Sequence, residues 1–225
     1  VSGRARGLHP LRLTVTAKPL VFGGQAIARR LGKRGLPDWS IAETWECSDV
    51  TGAVGVVVGG PAAGRTLREV TAAHGEELMG AGWTGEYFPL LTKFIDAAGS
   101  LPVHLHADDE AARRLEGQPN GKTEAWHILD AAPGATALCG VKEGVTPDRL
   151  RTALEAQDFG AVLRRLPVRA GETLYVPAAP RTASARTRWS TRSSRRRTSN
   201  STPCAGTWRT TPPWTTRSSA RTSTC

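Results

Sequence analysis

Nothing in the last 45 residues of this chain can build a hydrophobic core. From Arg181 to Cys225 there is no Leu, Ile, Val, Phe, Tyr or Met, whereas Arg, Ser and Thr occur ten, nine and twelve times. Apart from Trp189, Trp208 and Trp214, the segment has no large apolar side chain to withdraw from water, so its ordering entropy goes unopposed. Disorder is expected there, and any packed fold must come from the first 180 residues.

The same boundary explains the charge. The net charge of +10 arises entirely in the tail, because residues 1 to 180 carry 20 Lys+Arg against 20 Asp+Glu. A near-neutral body is not a nucleic-acid-binding surface. Ten tail arginines would attract RNA without selectivity, but with no lysine and no helical period they do not make a specific reader. No run of about 18 apolar residues and no secretory hydrophobic segment is present, so no membrane association and a cytoplasmic location are expected. Cys47 and Cys139 lie far apart, Cys204 and Cys225 fall in the tail, and no CxxC metal clip occurs, so a disulfide scaffold is not expected.

The body is long enough for one domain with a real core. Leu11 to Phe22 alternates and reads as strand, followed by a Gly-Gly turn and a short helix over 25–31. Ile41 to Ser48 alternates again, Gly55 to Gly59 reads as a brief strand, and Arg65 to Met79 has helical spacing with Thr66 as a cap. Phe88 to Ile95, Leu101 to His106 and Glu124 to Asp130 read as strands, with a helical turn or two over Asp108 to Leu115. Thr146 to Ala156 and Phe159 to Leu166 read as helices, and Glu172 to Val176 as a closing strand. Many short strands with helical excursions predict an α+β protein, mainly β, built on a barrel or jelly roll.

The chemistry concentrates in two runs of sequence. On a strand His104 and His106 would share a face, and a paired strand could place Glu124 beside them. Two imidazoles and a carboxylate suit a catalytic zinc that keeps a position for water or substrate. Asp108, Asp109 and Glu110 read as a dipole-complementing helix start, and His127 falls on the opposite strand face from Glu124. Lys93 interrupts the apolar run FPLLTKFID, where an ammonium needs an anion nearby. Lys122 follows the turn Asn120-Gly121, which either aims it at a phosphate or leaves it exposed. Glu43 either faces a cavity or is the polar member of an edge strand, and Trp45 and Trp126 read as core.

The ordered series KPLVFGG, AETWECSD, LREVTAAHGEEL, FPLLTKFIDA, LPVHLHADDE, GKTEAWHIL and LRRLPVRAGETLYVPA resembles the type I phosphomannose isomerases. These are zinc-dependent cupins that interconvert mannose 6-phosphate and fructose 6-phosphate. The resemblance covers residues 8–178 and implies a cupin jelly-roll barrel with helical insertions, one zinc ion per chain, and a monomer acting on a small sugar phosphate. It implies His106 and Glu124 as zinc ligands, His104 at a place where many members carry glutamine, and Lys93, Lys122 and Glu43 around the substrate. Phe22 stands where many members have tryptophan.

After Ala178 the resemblance stops. The family continues with a histidine that completes the zinc site and, later, a functional arginine, neither of which has a counterpart here. A tail limited to residues with G/C-rich codons suggests translation in the wrong frame. Moving each codon boundary back by one base, with G or C in third positions, allows the reading GAPHRLGPDALV and, with AGA for two arginines, HEIQQTSD. The missing histidine's codon would straddle Arg181 and Thr182. Residues 179–225 are therefore expected to be a frameshift product, leaving the barrel incomplete at its C-terminal side and the isomerase impaired. A non-enzymatic cupin that binds a sugar phosphate or a metal is the alternative.

Overall fold

The computed structural model describes residues 8, 10–104, 106–117 and 120–178, together with the backbone of Pro203–Ala205 and Thr222–Thr224. The chain divides into two compact units, with the boundary between Asp96 and Ala97.

The first unit centres on an antiparallel sheet of β1 (Thr16–Lys18), β2 (Glu43–Cys47) and β5 (Thr92–Ile95), in that order. Between them lie the two-residue strands β3 (Asp49–Val50) and β4 (Ala53–Val54), which pair as a hairpin. The alternating run from Leu11 to Phe22 is not one strand. Arg12 and Thr14 bond instead to Val58 and Val56, and Pro19, lacking an amide hydrogen, follows the three residues that join β2. The expected strand over Gly55 to Gly59 is accordingly reduced to isolated bridges at Val56 and Val57.

Helix α1 (Ala26–Leu31) has no side-chain cap of its own. Asp96, buried just beyond β5, supplies the acceptor, with Oδ2 taking the Ala26 N–H at 2.6 Å. Helix α2 (Leu67–Met79) starts on the predicted Thr66, which forms a reciprocal capping box with Glu69, and it kinks at His74. Val70 on its inner face packs with Val57 and Ala62, against Leu11, Leu13 and Leu78.

In the second unit, β6 (Ser100–Pro102) stops before the histidines, so the strand expected to run to His106 is cut short. Helix α3 (Asp109–Glu116) is capped by Asp108 at its start and by left-handed Gly117 at its end. Strand β7 (Glu124–His127) pairs antiparallel with β10 (Thr173–Val176), placing Glu124 opposite Val176 and Trp126 opposite Leu174. Between these strands come β8 (Thr136–Val141), α4 (Pro147–Glu155), α5 (Phe159–Val162) and β9 (Leu163–Pro167).

The helix expected over Phe159 to Leu166 ends after one turn, because Leu163 to Pro167 pairs with β8. Strand β8 was hidden in the sequence by Gly140, whose φ of 74° puts a break in the register between Leu138 and Val141. Leu150, Ala153 and Val162 form the buried cluster beneath α4 and α5. Cys139 is disulfide-bonded, while Cys47 is free.

The architecture is the expected α+β, mainly β, with strands in five small sheets and no closed barrel among the described residues. Two tail segments have described backbone: β11 (Pro203–Ala205) pairs antiparallel with β6, and β12 (Thr222–Thr224) pairs parallel with β10. The remainder of the tail, for which disorder was expected, lies outside the described residues.

Candidate functional site

Glu124 opens β7, and the two-residue period of the strand puts Trp126 on its face. The indole Nε1 of Trp126 donates to Oε2 of Glu124 at 3.0 Å. His106 Nε2 approaches the same oxygen at 3.3 Å, while Lys122 Nζ lies 3.4 Å from Oε1. The side chains of His106, Glu124 and Lys122 are 7 %, 18 % and 37 % exposed, a gradient running from a buried imidazole to an ammonium open to solvent.

Gly121 makes this arrangement possible. A Cβ there would stand 2.4 Å from the carbonyl oxygen of Ala107, so only glycine lets the segment lie against the start of α3. Two bonds fasten it: the Lys122 N–H donates to Ala107 O at 3.0 Å, and the Gly121 N–H donates to Asp109 Oδ1 at 2.7 Å. The acidic start of α3 thus has a structural role, with Asp108 capping the helix and Asp109 anchoring the glycine.

Burial is the main force that pushes the His106 pKa down, reinforced by Lys122 and more weakly by His104, against the upward pull of Glu124 and the Val176 backbone. A histidine held below its ordinary range is neutral at neutral pH. Its Nδ1 is buried without a well-formed hydrogen bond. His104 is exposed, unlike the buried His106, but acts on it electrostatically. Among the described residues, no group of three His, Cys, Asp or Glu side chains is spaced to hold a metal ion. His127 is exposed on the other face of β7, with Nδ1 2.9 Å from Thr173 Oγ1, as the strand parity predicted.

The first unit repeats the pattern. Trp45 Nε1 donates to Glu43 Oε2 at 2.8 Å, and Lys93 Nζ donates to Oε1 at 3.1 Å. The register of β1, β2 and β5 sets Lys18 opposite Glu43 and Lys93 opposite Trp45, so all four share one face. Lys18 Nζ lies 4.5 Å from the centre of the Trp45 ring. Lys93 therefore has its anion, and it is Glu43.

Both tryptophans, read from sequence as core, are half-buried donors to a carboxylate. The signal was present as Glu-x-Trp on an alternating strand, in ETW and in EAW. Among the described residues, no helix is long and apolar enough to cross a membrane.

No protein-family model matches the chain. It is 35% identical over 170 residues to the mannose-6-phosphate isomerase of Streptococcus mutans, covering 76% of this chain and 52% of that protein. Mannose-6-phosphate isomerase ManA of Bacillus subtilis is 34% identical over 170 residues, with the same two coverages. The chain spans about half the length of the curated relatives it matches.

Among solved structures, the mannose 6-phosphate isomerase from Bacillus subtilis superposes with a TM-score of 0.69 at 34% identity, over 75% of this chain and 52% of that one. A phosphomannose isomerase from Salmonella typhimurium, 12% identical at a TM-score of 0.52 over 75% of this chain and 63% of that one, shares the fold. Over the three quarters of its length that align, this chain is similar in sequence and in fold to mannose-6-phosphate isomerases.

Proposed function

We infer that the protein to which this fold belongs interconverts mannose 6-phosphate and fructose 6-phosphate with the help of a zinc ion. The observation that carries the reading is the convergence of His106, Glu124 and Lys122 within the segment that aligns with the isomerases. A neutral, buried imidazole beside a carboxylate is a donor pair that zinc accepts. His106 and Glu124 would hold the ion, with His104 as the expected further ligand. When bound, zinc supplies positive charge to the substrate oxygens on which negative charge develops as a proton moves between C1 and C2.

The chain's own groups do the rest. Lys122, the most exposed of the three, presents an ammonium to the phosphate and keeps His106 unprotonated. Trp126 and Lys122 divide the two Glu124 oxygens between them, so the carboxylate is fixed in place. Glu43 and Lys93 enter as substrate contacts on the family resemblance of AETWECSD and FPLLTKFIDA alone.

The tail belongs to the proposal as well: residues 179–225 are read as a frameshift product that removes the histidine closing the zinc site. Reinsertion of one base after the Pro177 codon tests both statements. The restored protein is expected to hold about one zinc per chain and to turn over mannose 6-phosphate in a coupled assay, whereas the chain as it stands does so weakly or not at all. A restored protein that binds zinc and sugar phosphate, folds cooperatively and has no turnover would point to the non-enzymatic cupin. Resequencing the gene across Pro177 to Thr182 decides whether a base is missing.

A further inference from the structure

The same side-chain geometry occurs twice in this chain, once in each unit. In both cases a strand glutamate has Oε2 bonded to the indole of the tryptophan two residues on and Oε1 beside a lysine. We propose that Trp126 is a positioning residue for Glu124: its indole N–H fixes the carboxylate in the rotamer that meets His106. This rests on the zinc reading of His106 and Glu124 given above.

A glutamate with only a flexible lysine for company can follow that lysine through several rotamers. The Trp126 ring cannot be followed in this way, because it sits on β7 directly opposite buried Leu174 and has only two side-chain torsions. Its N–H is a donor with no acceptor capacity, so it binds one carboxylate oxygen and enforces one orientation. Oε2, the atom it holds, is the atom that meets His106 Nε2. The family resemblance noted in the sequence assigns no role to Trp126, and a strand tryptophan there reads as core.

Two measurements on the full chain test this. Zinc affinity is read by titration against a chromophoric chelator, in the unchanged protein and in Trp126→Phe, which keeps the ring packing and removes the donor. A loss of about ten-fold or more, with an unchanged circular dichroism spectrum, is expected for a group that orients a metal ligand. In protein labelled with 15N-tryptophan, the indole resonance missing from the Trp126→Phe spectrum identifies Trp126, and it should move upfield in Glu124→Gln as the charged acceptor is lost.

Affinity within about two-fold of the unchanged protein would overturn the proposal, as would an indole resonance indifferent to Glu124→Gln. If the unchanged chain binds no zinc, as loss of the closing histidine also predicts, the affinity comparison is made in the frame-restored protein, and no zinc there would sink the zinc reading by itself. The resonance then decides whether the indole still holds the carboxylate.

Discussion

His106 Nε2 lies 3.3 Å from Glu124 Oε2, yet the imidazole stays neutral, because its burial and the Lys122 ammonium outweigh the attraction of the carboxylate. Since the folded-state pKa is below the unfolded value of about 6.5, the unfolded chain takes up the proton first as pH falls. The stability contributed by neutral His106 is complete above that value and is lost as pH falls through it toward the depressed folded pKa. Urea midpoints of the metal-free protein should therefore drop between pH 7.5 and 5.5 by more than those of His106→Asn. Equal drops would show that His106 is not the group responsible.

Asp49 gives a stability prediction of a different kind. Its carboxylate is 1% exposed, accepts from Arg68 Nε and from the Phe88 N–H at 2.8 Å each, and so ties α2 and the segment before β5 to the β3–β4 hairpin. Asp49→Ala leaves both donors without their acceptor and should cost about 3 kcal/mol. Arg68→Ala should cost less, since Arg68 is 44% exposed and Phe88 continues to satisfy the carboxylate. Urea denaturation of the two variants gives the order, and a costlier Arg68→Ala would refute it.

Gly121→Ala places a methyl group against the Ala107 carbonyl, backbone against backbone, where no rotamer can relieve it. The expected cost is about 1–3 kcal/mol, with the displacement falling on Lys122 and Glu124, one and three residues further along. Weaker zinc retention than in Gly134→Ala, where a φ of 76° strains any side chain but the added Cβ meets nothing within 4 Å, would separate local displacement from general loss of stability.

In the frame-restored protein, Lys122→Ala should raise KM for mannose 6-phosphate about ten-fold or more with a smaller change in kcat, because a phosphate contact is made equally in ground and transition states. Steady-state kinetics of that variant provide the check. A fall confined to kcat would move Lys122 from binding to the chemical step.

The sequence carried the local signals and failed where partners come from afar. Thr66 before LREV could be read as a cap, and Asp108 to Glu110 as an acidic helix start, because both signals act within the first turn. The placement of His127 on the face opposite Glu124 followed from strand parity. Strand β8 escaped notice because Gly140 breaks its alternation, and the strand from Leu11 was drawn too long because its two halves pair with different segments. The similar placement assumed for His104 and His106 depended on a strand that stops at Pro102, which is why one is exposed and the other buried. No periodicity could reveal that both tryptophans hold glutamates, since tryptophans in an alternating strand present the same pattern whether they pack or donate.

The direction of β10 carries a genetic consequence. The strand runs toward Glu124, pairs Val176 with it, and is followed by Ala178, whose N–H donates to Thr123 Oγ1 at 3.1 Å. The described chain thus reaches Ala178 beside the strand that carries the carboxylate. A coding error just past this strand would alter the chemistry first, while most of the described fold, encoded upstream, would be made unchanged. Such a lesion would leave a protein recognisable by shape and sequence but altered at its working end.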